Sequence, residues 1–163
     1  MGKLDKLGAI VTGAGEGIGE AIAKELASNG AKVACVDFNE NSGNNTAKSI
    51  NDSGGEAVFI KTDISDPNQV KSMISDSLGF LGSIDILVNN AAKFTFGAVE
   101  DVSQDEWEDI LKVNVIGYST CVKEALPHLK KSGKSAVVNL ASVSSIIAGP
   151  KFVPYNTSKG AVL

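Results

Sequence analysis

Cysteine is scarce in this chain: Cys35 and Cys121 are the only two among 163 residues. One sits in the strand-like run Val33-Ala34-Cys35-Val36 and the other in a helix-like apolar pattern. Both therefore read as buried free thiols, which leaves out a disulfide framework and a metal site. Basic runs are missing too, since Lys130-Lys131 is only a pair. The net charge of −4 and pI near 5.0 argue against a nucleic acid or an acidic membrane as partner. No apolar run is long enough to cross a bilayer, and Met1-Gly2-Lys3-Leu4-Asp5-Lys6 lacks the apolar stretch of a secretory signal. Repeats, low-complexity tracts and linkers are absent. With 43% hydrophobic and 21% charged residues, the expectation is a single globular domain over 1–163, cytoplasmic and in a reducing compartment.

What the chain does have is alternation. Short apolar runs at 7–11, 33–36, 57–60, 84–88 and 136–140 read as strands, with helices expected over 18–29, 42–53, 69–78 and a long one over 104–131. Val70, Met73, Ile74 and Leu78 give the third helix one apolar stripe. Leu111, Val115, Tyr118, Val122, Leu126 and Leu129 do so for the long one. Gly30, Gly54-Gly55, Gly82 and Gly133 follow the helix ends, where a left-handed residue closes a helix at low cost. Strands alternating with helices predict an α/β fold, a doubly wound parallel sheet of the Rossmann type. A six-stranded order 3-2-1-4-5-6 needs one more strand, so the sheet is expected to be incomplete at its C-terminal end, with an unpartnered fifth strand.

The stretch Val11-Thr12-Gly13-Ala14-Gly15-Glu16-Gly17-Ile18-Gly19 joins the first strand to the first helix. Glycines let the backbone turn tightly and approach a ligand. The helix N-terminus beyond them carries about half a positive charge, which suits a pyrophosphate. The glycines alone fit a plain strand-to-helix connection equally well, and their spacing differs from G-x-G-x-x-G. Asp37, closing the second apolar run about twenty residues later, stands where an acid can bond an adenosine ribose. Together they favour a dinucleotide site.

Further polar clusters lie at the carboxyl ends of the expected strands, where open α/β sheets bind ligands. Asp63-Ile64 follows the third and Asn89-Asn90-Ala91-Ala92 the fourth; Ser142 follows the fifth, with Tyr155-Asn156-Thr157-Ser158-Lys159 beyond. Tyr155 and Lys159 stand at i and i+4, on one helix face. Each has a plain alternative. Asp63 could cap the next helix, although Asp66 is better placed. Ser144 rivals Ser142. Asn114, a poor helix former, sits mid-helix. His128 near the end of the long helix suits an interaction with its C-terminus, and Trp107 suits packing.

Thr12-Gly13-x3-Gly17-Ile18-Gly19, Asp63, Asn89-Asn90-Ala91, Asn114, Ser142 and Tyr155-x3-Lys159 occur in one order from end to end. In this the chain resembles the short-chain dehydrogenases/reductases. The resemblance implies an NAD(P)-dependent oxidoreductase acting on an alcohol or carbonyl, with Asn114, Ser142, Tyr155 and Lys159 as the catalytic set. In that pattern Tyr155 exchanges a proton with the substrate oxygen. A free phenol, with a pKa of about 10, is a poor base at neutral pH, and a cationic Lys159 would favour the phenolate. Ser142 would polarise the substrate oxygen, and Asn114 would hold a water in a relay to Lys159. Gly13, Gly15, Glu16, Gly17, Ile18, Gly19, Asp37, Phe38, Asp63, Ile64, Asn90 and Ala91, with Tyr155 and Lys159, would contact the cofactor. Asp37 favours NAD over NADP, because two unit charges 4 Å apart repel by about 4 kcal/mol at an effective dielectric near 20. Glu16, where NADP users often carry a base, agrees. The family pattern reads glycine where this chain has Ala92. It also runs on for roughly another third, so a C-terminally truncated member is expected, with a homo-oligomer, dimer or tetramer, if the chain is complete. The alternative is a non-catalytic dinucleotide-binding or interaction fragment.

Overall fold

The computed structural model describes residues 2–163. Five parallel strands form one sheet: β1 (Gly8–Thr12), β2 (Lys32–Asp37), β3 (Glu56–Lys61), β4 (Ile86–Asn89) and β5 (Ala136–Asn139), in the order β3-β2-β1-β4-β5. Helices α1 (Gly17–Ser28), α2 (Glu40–Asp52) and α3 (Pro67–Leu81) connect the first four strands. A helical run of α4 (Gln104–Leu111), a π-helical turn (Lys112–Gly117) and α5 (Tyr118–Ser132) leads to β5, and α6 (Val153–Val162) ends the chain described. The expected doubly wound sheet is observed.

Period-two alternation sorts the strands onto two cores. Ile10, Ala34, Val36 and Leu87 pack with Val70 and Met73 of α3 and with Cys121 and Ala125 of α5. Ala9, Val11, Val33, Cys35 and Val88 pack on the opposite face, with Ala23 and Ala27 of α1 and Ala47 and Ile50 of α2. Both cysteines are fully buried free thiols, and burial pushes each up to about 12.

Local chemistry sets the boundaries. The Asn39 side chain accepts from the Asn41 and Ser42 backbone N–H groups, starting α2 at Glu40 rather than at the expected 42. Asp66 does the same for α3 through Asn68 and Gln69, so capping falls to Asp66 and not to Asp63. Gly82 and Gly133 close α3 and α5 in the left-handed conformation. The expected stripe of the long helix is met at Tyr118 and Leu129 and shifted by one residue elsewhere: Ile110, Asn114, Cys121 and Ala125 are buried in place of Leu111, Val115, Val122 and Leu126, with Gly117 beside them, and Leu126 is 41% exposed. Small residues let this helix sit close to its neighbours, and the larger side chains flank the contact. Gly117 shows how close: a Cβ there would lie 3.0 Å from the carbonyl oxygen of Ile64. β5 is the sheet edge opposite β3, and its residues are exposed along its length. No helix among the described residues is long and apolar enough to cross a membrane.

Candidate functional site

The chain runs outward from β1 through β2 to β3, then crosses back to place β4 on the other side of β1. The loops after β1 and β4 therefore diverge and leave a crevice at the carboxyl ends of the strands. A cleft of about 760 Å³ occupies it, lined among others by Gly17, Asp37, Asp63, Asn90, Tyr155 and Lys159.

Thr12 and Asn90 fasten the two loops. The Thr12 hydroxyl donates to the Val88 carbonyl (3.3 Å) and accepts from the Asn90 and Ala91 N–H groups (3.0 and 3.2 Å), which uses its full bonding capacity. Asn90 Nδ2 donates to the Thr12 and Gly13 carbonyls at 3.0 and 3.1 Å. Gly19 is needed for contact: a Cβ there would stand 1.9 Å from the Gly13 carbonyl oxygen. Gly17 is different, with a φ of +57° and nothing within 4 Å of a hypothetical Cβ, so it turns the chain beside open space. No side chain caps α1, which starts at Gly17, so its first N–H groups stay available to a ligand in the cleft. Glu16, Ile18 and Gly19 line the cleft with Gly13 and Gly17.

Asp37 ends β2, is 8% exposed, and is held by both oxygens. Oδ2 accepts from the Gly15 N–H at 2.8 Å and Oδ1 from the Asn39 N–H at 2.9 Å. Gly15 thus serves as the support of Asp37 and is not among the residues lining the cleft. Phe38 lines it and is 75% exposed. Asp63 and Ile64 also line it, Asp63 accepting from the Ser65 N–H and hydroxyl at 2.9 and 2.7 Å. Thr62 also lines the cleft, with its hydroxyl oxygen buried and without a hydrogen-bond partner among the described residues.

At the other end stands Lys159. It is 2% exposed and in no ion pair among the described residues. Its Nζ donates to the Leu140 carbonyl at 2.7 Å and to the Tyr118 hydroxyl at 3.5 Å, and lies 5.5 Å from the Tyr118 ring centre. Burial holds it below the ordinary lysine range. The Tyr118 phenol is pushed up, first by burial and then by Tyr155 and Cys121, so it stays a neutral partner. Lys159 Nζ is 5.9 Å from the Tyr155 ring centre. Tyr155 is 7% exposed, with Phe94 stacked on it at 4.5 Å between ring centres.

Asn114 is fully buried within the π turn, where the widened helix departs from its usual pairing. Its Oδ1 accepts from the Lys93 N–H (2.8 Å). Its Nδ2 donates to the Lys93 carbonyl (3.0 Å) and the Ser158 hydroxyl (2.9 Å). Ser158 in turn donates to the Tyr155 carbonyl at 2.8 Å. The Asn114 amide is therefore committed to tying the loop after β4 to α6, and both of its N–H donors are spent. Ser142 does not line the cleft. Its hydroxyl accepts from the Ser144 N–H at 3.1 Å, capping the short turn Val143–Ser145, and no bond joins it to Tyr155.

Sequence reading missed Lys93, Phe94, Leu140 and Ala141, which line the cleft. Their position just past β4 and β5 was an available signal. Tyr118 falls in the apolar stripe of the long helix, and nothing in the sequence marks its hydroxyl as facing Lys159.

Residues 8–163 match the family described as short chain dehydrogenase. A meso-2,3-butanediol dehydrogenase of Serratia marcescens is 37% identical over 99% of this chain and 63% of its own length. An uncharacterized oxidoreductase of Thermotoga maritima is 35% identical over 95% of this chain and 60% of its own. A short chain dehydrogenase/reductase of Burkholderia phymatum, solved in complex with NAD, superposes with a TM-score of 0.95 at 32% identity, covering 99% of this chain and 58% of that one. The chain thus spans about three fifths of the length of the relatives it matches.

Proposed function

Because the chain belongs to the short-chain dehydrogenase/reductase family, we propose that it carries the dinucleotide site and proton-transfer site of an NAD-dependent oxidoreductase interconverting an alcohol and a carbonyl. One observation carries this reading. Lys159 is a buried cation beside Tyr155 in the cleft, without a carboxylate partner among the described residues. A buried charge is costly when uncompensated, and sugar hydroxyls supplied by a nucleotide would compensate it.

The residues present fit a nicotinamide dinucleotide. The uncapped start of α1 suits the pyrophosphate, Asp37 the adenosine ribose, Asp63 and Ile64 the adenine end, and Lys159 the nicotinamide ribose. In this reading NAD is preferred to NADP: Asp37 and Glu16 both line the cleft, where an acid would repel a 2′-phosphate, while Lys61 is paired with Glu40 at 3.1 Å. When bound, such a cofactor supplies the hydride acceptor or donor. Tyr155 exchanges the proton with the substrate oxygen, Lys159 holds the nicotinamide ribose, and Asn114 acts as a clamp on the loop carrying Lys93. Tyr155→Phe should leave NAD binding within about threefold while lowering turnover by about 100-fold or more. Isothermal titration and NADH absorbance read the two, and retained turnover would refute the assignment.

A second reading, dinucleotide binding without turnover, draws on Ser142, which lies outside the cleft and is not bonded to Tyr155. NAD binding without oxidation of any secondary alcohol would favour it. Exposed Ile116 and Leu126 on the long helix support pairing with a second copy.

A further inference from the structure

Nine aromatic residues are spread over this chain, yet three of its six phenylalanines gather beside Tyr155. The Phe94 ring stacks on Tyr155 at 4.5 Å and 19°, and Phe96 continues the row at 5.9 Å and 18° from Phe94. Phe152 closes the end edge-on to Phe96, at 4.7 Å and 81°. Core packing does not explain them, since Phe94 is 56% and Phe96 57% exposed. Thr95 between them is buried, while its two neighbours both turn outward. The segment is held at both ends. Asn114 grips the Lys93 backbone, and the Gly97 N–H donates to the Lys151 carbonyl at 2.8 Å just ahead of α6. Phe94 itself lines the cleft with Tyr155.

We propose that Phe94, Phe96 and Phe152 form the binding wall for a flat, apolar substituent of the substrate, so that the substrates are aryl-substituted secondary alcohols and their ketones. This rests on the oxidoreductase reading above, with the substrate oxygen at the Tyr155 hydroxyl. A substituent on the adjoining carbon then lies along the ring row, where offset or edge-on aromatic contact favours an aryl over an alkyl group of equal size.

The test pairs binding with turnover on the full chain loaded with NADH or NAD. Titration with acetophenone and with methyl cyclohexyl ketone reads binding. Oxidation of 1-phenylethanol and 1-cyclohexylethanol reads kcat/KM. The aryl compound should be preferred by about tenfold or more in both. Phe94→Leu, which keeps apolar bulk but removes the π face, should bring the ratio to within about threefold of unity, and Phe94→Tyr should restore it. Thermal melts check that the variants fold. Aryl preference in binding without turnover supports the wall and defeats the oxidoreductase reading. Turnover without aryl preference, or a preference that survives Phe94→Leu, overturns the wall and leaves that reading standing. Failure of both ketones to bind overturns the wall outright.

Discussion

At the scale of single residues, the site sets function against stability. Lys159 is a buried cation bonded to Leu140 and Tyr118, with no counter-charge among the described residues. Lys159→Met fills the same space without charge. It should raise the melting temperature of the nucleotide-free protein by about 2–4 °C, as about 1 kcal/mol does at this size, while weakening NAD binding at least about tenfold. Calorimetry with and without NAD measures both; a lower melting temperature would mean the ammonium is already satisfied. Asp37 acts on selectivity. Its carboxylate is fixed by the Gly15 and Asn39 N–H groups, so it cannot turn away from a 2′-phosphate. Asp37→Ala should lower the ratio of NAD to NADP affinity by at least about tenfold, given a repulsion of about 4 kcal/mol at short range. An unchanged ratio would mean Asp37 does not reach the ribose.

At the scale of elements, α1 and the π turn decide how much of the site the sequence reveals. The glycine turn was legible because its residue types have few other uses, and its two functions separate in the structure. Gly19→Ala drives a methyl group into the Gly13 carbonyl, so it should unfasten α1 from β1 and abolish NAD binding. Gly17→Ala meets no atom and carries only the cost of a φ of +57°, about 1 kcal/mol. Nucleotide titration and melting of the two variants give the comparison, and equal losses would deny the steric role. The long helix was less legible. Tyr118 and Leu129 of its apolar stripe are buried, but Leu111, Val115, Val122 and Leu126 stand one position away from the buried face, where small residues such as Gly117, Cys121 and Ala125 lie. Apolar size is a poor guide where helices pack through small residues. Ser142 shows a similar limit: its place in the order was visible, but its present bonding to Ser144 was not.

At the scale of the whole molecule, the two ends of the sheet have opposite duties. The carboxyl end of the strands is open and holds the cleft, while the amino end is sealed by Asp85. This carboxylate is 4% exposed and accepts from the Gly8 N–H at 2.8 Å, the Ser83 hydroxyl at 2.6 Å, and the Ser132 hydroxyl. Burial by itself would raise its pKa, but the bonds from Ser132, Ser83 and Gly8 together outweigh it and hold the carboxyl below its usual value. A lowered folded-state pKa contributes stability that is fully present above the unfolded value, about 3.9, and is lost as pH falls through the folded one. Asp85→Asn should therefore destabilise the protein by about 2 kcal/mol near pH 7, about 4–8 °C in melting, with the difference shrinking below about pH 4. Melts from pH 3 to 7 would show it; a constant difference would assign the loss to packing.

The sequence by itself determined the alternation of strands and helices, the glycine turn, the acid after the second strand and the family order of Asn114, Ser142, Tyr155 and Lys159. These follow from local chemistry, since periodicity, caps and turn residues act within a few positions of one another. Tertiary structure alone decided the rest. It joined Asn114 to Lys93 and Ser158, aimed Tyr118 at Lys159, fixed Asp37 against Gly15, and lined up Phe94 and Phe96 on Tyr155. Apart from the Phe94–Phe96 pair, which lies within one loop, those contacts join separate elements, and their geometry depends on how closely the elements pack, which no local pattern encodes.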